Sequence, residues 1–422
     1  SSNIPKRTLI WRMVQDPVKK NLLFAATEFG IYTSLNGGKS WQKLDGAPTI
    51  SFRDLTIQKR ENDLVAASFG RGFFILDDYS ALRDFTEENL NQKGKLFAPR
   101  TAKWFVPRSK IGNTGADYYF AQNPEYGAVF TYHLADDYKT AEDIRRDKEI
   151  ELNKRNANIP FPGWDALDAE RDEEAASVVL TIQDDKGNII NKISKRARDG
   201  SHRITWDFSH FNPYPVSSES PRYNRGGALA KPGTYQASLS LVQNGDVTQL
   251  DGPVSFDVKA IYDGVLKGIS YEEYNSYLNE VSELYNGISA VEDVLSESIK
   301  MQKAMVKALK KAKILPGSIE PKIAELKADL IRIKKSISGS PSKSEVGEKN
   351  PSGLDNYLYN ATPGLRNSYG PTPHHMKSLE IAKKLLSDLR KEVTSINNIQ
   401  IPEIEKALKE AGAPYIMGQG ID

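Results

Sequence analysis

The stretch "SLNGGKSW", Ser34–Trp41, sets two adjacent glycines among short polar side chains and closes on a tryptophan. Read locally, it is the tip of a β-hairpin. The Asn36 side-chain carbonyl is placed to accept from amides of its own turn, and Gly37 and Gly38 allow the positive φ that a Cβ disfavours. Trp41 then opens the next strand with its ring under the turn. Each residue has a structural task, and none is a nucleophile, a proton donor or a metal cage.

Outward from this turn, residues 1–88 break into short apolar or alternating runs: Leu9–Val14, Leu22–Thr27, Gly30–Ser34, Ser40–Leu44, Phe52–Ile57, Leu64–Ser68 and Phe73–Leu76. The breaks are turn signals such as "DPVKKN", "DGAP", "REND" and "GRG". Such spacing predicts an up-and-down antiparallel sheet. "NLLFAATEFGIYTS" is echoed about forty residues on by "NDLVAASFGRGFFIL", with Leu22 and Leu64, Ala25 and Ala66, Phe29 and Phe69, and Gly30 and Gly70 in corresponding places. That period suits the four strands of a propeller blade. One blade and three strands of a second cannot close a ring, because blades bury their faces only against neighbours. The rest of the ring is expected upstream of Ser1, which reads as an internal cut. The missing outer strand would come from the ring's other end.

A linker over 89–115 leads to strands of another kind. "GAVFTYHL", "SVVLTIQD", "HRITWDF", "TYQASLSLV" and "VSFDVKA" alternate, as in Ile204, Trp206 and Phe208, so one face is buried and one is wet. They predict a β-sandwich over 116–262, with hairpin turns at "DDKGN" and "QNGD". An insertion at 135–177 reads as a short helix followed by the loop "NIPFPGW". From Ser270 the period is helical: Leu278, Val281, Leu284, Ile288, Val291, Leu295, Met305 and Leu309 keep three-four spacing around one polar interruption, Gln302. Ile319–Ile337 and Leu379–Ile396 repeat the pattern, and "IPEIEKAL" opens a short fourth helix with Pro402 in its first turn. An antiparallel helical bundle over 270–415 follows, with a long loop at 338–373 whose aromatic middle, "LDNYLYNATPGL", is expected to pack. The fold class is therefore mainly β with an α C-terminal region.

Composition narrows the function classes. The 422 residues carry 57 basic and 55 acidic side chains, so no global field draws the chain to nucleic acid or to a membrane surface. No apolar run is long enough to cross a bilayer as a helix. With no cysteine, disulfides, thiol catalysis and thiolate metal sites are excluded together. A cysteine-free chain of this length suits a bacterial exported protein.

The opening turn resembles the Asp box, Ser-x-Asp-x-Gly-x-Thr-Trp, the bacterial neuraminidase repeat of sialidases, sortilin-type propellers and tandem-propeller glucanases. Ser34, Asn36, Gly38, Ser40 and Trp41 occupy its positions, with Asn for Asp and Ser for Thr. Over nearly the whole chain, the order of motifs is similar to the C-terminal part of large bacterial sortilin-like proteins. These end in propeller blades, an immunoglobulin-like sandwich with a Trp-Asp strand and a Pro-Gly-Thr-Tyr strand, and a helical tail. Trp206–Asp207, Pro232–Tyr235 and Pro371–Thr372 match those motifs. The resemblance implies an exported protein of the periplasm, outer-membrane surface or secreted fraction. It implies a non-catalytic binding or scaffolding role, exercised with an N-terminal propeller portion as a separate chain. Such proteins often bear the label glycosyl hydrolase, which follows the fold and not a site. Two alternatives stand beside this reading. One is a sialidase- or glucanase-like hydrolase whose catalytic residues lie in the missing blades; the other is an accessory subunit of a larger surface complex.

No catalytic constellation, cofactor motif or metal cage assembles in the sequence. Asp77–Asp78 ends the last propeller strand; the pair is a calcium candidate by its oxygens, although capping of the exit turn accounts for it better. Neighbouring carboxylates do not face each other across a sugar as glycosidases require. Adjacent His374 and His375 point apart at a helix start. Lys300–Lys313 is spaced around a helix and reads as a solvated face. The candidate ligand contacts are Arg71 in the "GRG" turn, Trp164 in the insertion, and Tyr214 and Tyr223 in the loop "FNPYPVSSESPRYNRGG", for a protein or polysaccharide ligand.

Overall fold

Turn residues cut the start of the chain into two antiparallel sheets. β1 (Ile10–Gln15), β2 (Leu23–Thr27), β3 (Gly30–Ser34) and β4 (Gln42–Lys43) form the first, in that order. β5 (Phe52–Gln58), β6 (Asp63–Ser68) and β7 (Phe73–Leu76) form the second. Leu22, Phe24, Ala26 and Ile31 of the first pack on Phe52, Leu55, Leu64 and Ala66 of the second. Each large side chain buried here contributes about 1.5–3 kcal/mol. At the β1–β2 turn Asp16 Oδ1 accepts from the Val18 and Lys19 amides, while Oδ2 accepts from Tyr79 Oη at 2.7 Å and Arg83 Nη2 at 2.8 Å. The last two residues flank or form the 3-10 turn Ser80–Asp84, so one buried carboxylate ties both ends of the seven-stranded segment.

The computed structural model describes residues 3–107, 121–212, 216, 227–262, 264–265 and 267–418. It divides into one unit of Ser1–Ser209 with Ala230–Ile261 and another of His210–Leu229 with Tyr262–Asp422.

After α1 (Glu87–Leu90), the first unit continues with β8 (Gly94–Phe97), β9 (Ala102–Trp104), β10 (Ala128–Leu134), β11 (Ser177–Asp184), β12 (Ile189–Arg196), β13 (Gly200–Trp206), β14 (Gly233–Gln243) and β15 (Asp246–Ala260). They make a sheet ordered β13-β10-β8 and a sheet ordered β12-β11-β14-β15-β9, with β9 parallel to β15. Inward residues alternate as expected: Ala128, Phe130, Tyr132 and Leu134 are buried along β10. Rings of the two sheets meet edge to face, Phe130 on Phe256 and Trp206 on Tyr235, both at 5.0 Å between centroids. The β14–β15 pairing slips opposite Gly252, whose φ of 99° and whose absent Cβ, which would lie 2.7 Å from the Ala237 carbonyl, both require glycine. Beyond that point Asp251 Oδ2 accepts from the Leu96 amide at 2.8 Å and pairs with Lys95 Nζ at 3.0 Å. The strand thus reaches β8 of the other sheet, and the sheet curls as a half-barrel. The expected linker at 89–115 is corrected by β8 and β9: Leu96, Phe97, Ala102 and Trp104 are buried, in runs too short to stand out among prolines and lysines.

The insertion holds two helices, α2 (Ala141–Lys154) and α3 (Trp164–Asp172), where one had been expected. Thr140 and Asp143 form a capping box on α2, and Arg145 clasps Glu170 across the pair. Neither helix buries a side chain.

In the second unit α4 (Tyr271–Leu309) is one unbroken helix of 39 residues, started by a Ser270–Glu273 capping box. α5 (Glu320–Ser338), α6 (Pro341–Glu345), α7 (Leu354–Ala361), α8 (Pro373–Ser395) and α9 (Ile401–Glu410) follow. Val281, Leu284, Ile288, Leu330, Ile333, Leu386 and Leu389 share one core. Within the expected loop at 338–373 the aromatic middle packs as a helix: α7 buries Leu354, Leu358 and Ala361, and Tyr277 Oη of α4 donates to the Ala361 carbonyl at 2.8 Å. The fourth helix is joined to the third. Residues Ile396–Gln400 form a π turn in which the Ile401 amide donates to the Ile396 carbonyl, leaving Pro402, which has no N–H, in the first turn of α9.

Candidate functional site

The Ser34–Trp41 turn is a closed hydrogen-bonded unit. Ser34 Oγ accepts from the Gly38 amide at 2.8 Å, and Asn36 Oδ1 accepts from the Ser40 amide at 2.9 Å. Asn36 Nδ2 donates to Ser40 Oγ at 2.7 Å, and Trp41 Nε1 donates to the Gly38 carbonyl at 3.2 Å. Gly37 and Gly38 take φ of 71° and 88°. The Gly37 amide is spent on the Asn21 carbonyl, and Trp41 is buried. These groups fasten β3 to β4. Replacing Asn36 by alanine removes two of these bonds and is expected to cost about 1–2 kcal/mol in urea unfolding, whereas Asn36→Asp keeps the Ser40 acceptor and costs less than half as much.

Around the β7 exit Asp77 and Asp78 line a cleft of about 700 Å³ together with Arg100, Lys103 and Arg203. Arg203 Nη2 donates to the Asp77 and Asp78 carbonyls, 2.7 Å each, and Arg100 and Lys103 both bind Glu61. Lys103 chiefly, with Arg100 and Arg60, holds the Glu61 carboxyl below its usual range. Asp78 Oδ1 accepts from the Ser80 amide and hydroxyl, which is capping. Burial first, and then the charges of Asp63 and Asp78, push the Asp77 carboxyl up. Among the described residues no three His, Asp or Glu side chains gather as a metal would need, so Asp77 and Asp78 are not brought to a third ligand. The cleft's cations are spent on its own carboxylates and carbonyls, and what this arrangement does is bind the β7 exit to β13 and to the chain before β9.

The candidate contacts stand on separate elements. Arg71 is exposed between Gly70 and Gly72 in the β6–β7 turn. Trp164 is 74% exposed at the start of α3, with its ring 5.0 Å from that of Phe161. Tyr214 and Tyr223 lie outside the described residues. His375 Nδ1 accepts from the Thr372 amide and caps α8.

A surface that the sequence reading did not single out is the outer face of the second sheet. Phe73 pairs with Ala67 and Ile75 with Val65, so these four side chains share the face opposite Leu64, Ala66 and Phe74. Phe73 is 76% exposed and Ile75 59%. Phe69, beyond the end of β6, lies under the Arg53 guanidinium, which also covers the exposed Trp11 ring at 3.7 Å. Its sequence signal is the loss of alternation in "DLVAAS" and "FFIL": both faces are apolar, as in a strand covered on both sides.

No family model matches the sequence, and no curated protein matches it. Among solved structures it is similar to the extracellular domain of BT4673 from B. thetaiotaomicron, described in one structure as a one-component and in another as a hybrid two-component system. Identities there are 13% and 14%, TM-scores 0.14 and 0.15, over 60% of this chain and 25% and 26% of those. Dimeric latent PorU from Porphyromonas gingivalis matches at 12% identity and a TM-score of 0.22, over 60% of this chain and 20% of that one. The match therefore spans about a quarter or less of those chains. Likeness at these scores shows neither a shared fold nor a shared role.

Proposed function

We propose that this chain is a non-catalytic binding or scaffolding protein of the bacterial cell envelope or secreted fraction, acting together with a propeller portion that the sequence does not contain. In this reading the two opening sheets are propeller blades and the two facing sheets after them are an immunoglobulin-like sandwich. The Asp-box residues Ser34, Asn36, Gly38, Ser40 and Trp41 support the first assignment.

The observation that carries the proposal is the outer face of the second sheet. Val65, Ala67, Phe73 and Ile75 form an apolar surface on a strand pair whose edge, β7, has no partner strand among the described residues. An exposed apolar face beside an unpaired strand edge favours contact with another segment or chain. A further blade stacked on it would bury it as the first sheet buries the opposite face. Trp164 beside Phe161 is the aromatic pair assigned to a protein or polysaccharide ligand.

The test is a mass measurement. Purified from its native source, the protein is expected to carry a second polypeptide or segment rich in the same repeat, identified by mass spectrometry. The chain made alone is expected to self-associate, and the double variant Phe73→Ser, Ile75→Lys to be monomeric and unable to take up the second polypeptide. A folded monomer with nothing attached, from the native source, overturns the proposal.

A further inference from the structure

In α4 the core-facing row Val291, Leu295, Ser298, Gln302, Met305 contains two polar residues. Ser298 Oγ donates to the Val294 carbonyl and is satisfied. Gln302 is only 6% exposed, and among the described residues its side-chain amide has no hydrogen-bond partner. Solvent still reaches that amide, which has only water, or a ligand, to bond.

That amide lines a groove of about 490 Å³ between α4 and α5, walled by Val306, Leu309, Leu315, Ile323 and Ala324. A volume of this size encloses a small molecule rather than a protein segment. Three charged residues line it as well: Lys310, Glu320 and Lys327. Glu320 turns to its own loop, where Oε2 accepts from the Gly317 amide at 2.9 Å and the Ile319 amide at 3.3 Å. Those amides hold its carboxyl below the usual range, Gly317 foremost. Lys310 and Lys327 have no ion pair among the described residues, so the groove's unbalanced charge is positive. The short link between α4 and α5 makes them antiparallel neighbours, and Gln302 and Lys310 of one helix line the groove with Glu320 and Lys327 of the other. The eight residues from Gln302 to Lys310 give a floor about 12 Å long.

We infer that this groove binds a linear aliphatic monocarboxylate. The carboxylate accepts from Gln302 Nε2 and pairs with Lys327 Nζ, and the alkyl chain lies along Val306, Leu309 and Ile323 toward Leu315. The amide then exchanges water for a charged acceptor, and exposed apolar surface at Leu315 is covered.

Calorimetric titration of the full chain with dodecanoate and with dodecanol, below their aggregation concentrations, tests this. Dodecanoate is expected to saturate one site and to bind about tenfold or more tighter than the alcohol, the effect of a charged hydrogen bond. Gln302→Leu is expected to weaken dodecanoate by about the same factor while helical circular dichroism shows the fold retained. Lys327→Gln is expected to bring acid and alcohol to equal affinity. A purely structural Gln302 would shift the melting temperature and leave binding untouched. Equal affinities for acid and alcohol in the unmodified chain, unchanged dodecanoate binding in Gln302→Leu, or no binding of dodecanoate at all, each overturns the inference.

Discussion

Replacing Asp16 by alanine is expected to destabilise the first unit by about 3–5 kcal/mol, the cost of breaking a buried ion pair from one side. The Asp16 side chain is wholly buried, and Arg83 reaches it through both Nε and Nη2. Alanine leaves that guanidinium, the Tyr79 hydroxyl and the Val18 and Lys19 amides without their acceptor. Urea unfolding followed by tryptophan fluorescence measures the loss. All five tryptophans, at positions 11, 41, 104, 164 and 206, belong to the first unit, so the signal is specific to it. A change below about 1 kcal/mol would show the network to be dispensable. Burial by itself would raise the Asp16 carboxyl, but the Arg83 hydrogen bonds, the Lys19 and Val18 amides and the Tyr79 hydroxyl outweigh it and hold the group below its usual range. Its contribution is therefore complete above the unfolded value near 3.9 and is lost as pH falls through the lower folded value. The gap between wild type and Asp16→Asn should close on acidification, not on raising the pH.

Trp206→Ala comes second, with about 3–5 kcal/mol expected from the cavity and the lost transfer energy. Its ring is fully buried, edge-on to Phe208 at 5.4 Å, Tyr235 at 5.0 Å and Phe256 at 6.1 Å. Tyr235 and Phe256 come from β14 and β15 of the facing sheet and Phe208 from the chain just beyond β13, so no single element can relax to fill the hole. Trp206→Phe keeps much of the ring volume but leaves the Ser209 carbonyl without the Nε1 donor now at 2.8 Å, which is expected to cost about 1–3 kcal/mol. The remaining four tryptophans report the transition in both variants. Equal losses for alanine and phenylalanine would mean that the hydrogen bond, not the packing, carries the effect.

What the sequence made legible was local. The hairpin at Gln243–Asp246 follows from Asn244 and Gly245, which take φ of 52° and 83° as a type I′ turn demands. The "DDKGN" turn is organised by Asp184, whose Oδ1 accepts from the Lys186 and Asn188 amides. The Ser34–Trp41 turn was readable for the same reason, since its partners lie within a few residues. Illegible were elements whose reason is a distant neighbour. β8 and β9 are four and three residues long and are strands because β10 and β15 are there to pair with them. α7 is held by Tyr277, whose hydroxyl reaches across 84 positions of sequence. Gln302 was visible as an interruption in the helical stripe, but only a wall made by α5 gives it a groove. The outer face of the second sheet needed the register of Phe73 and Ile75 against Ala67 and Val65, which no periodicity of so short a run supplies.

The joint between α8 and α9 bears on how the C-terminal helices keep phase. Core residues along α8 step by three or four, from Leu379 through Ala382, Leu386, Leu389 and Val393 to Ile396, and the next ones are Ile401, Ile404 and Leu408. At about 100° per residue, a five-residue step in a regular α-helix would swing Ile401 about 140° off the seam. The wider turn absorbs the surplus position, so a single hydrophobic spine runs through both segments without a break in the rod. An extra residue has been accommodated as a local bulge in the winding, and the price is confined to one turn of backbone.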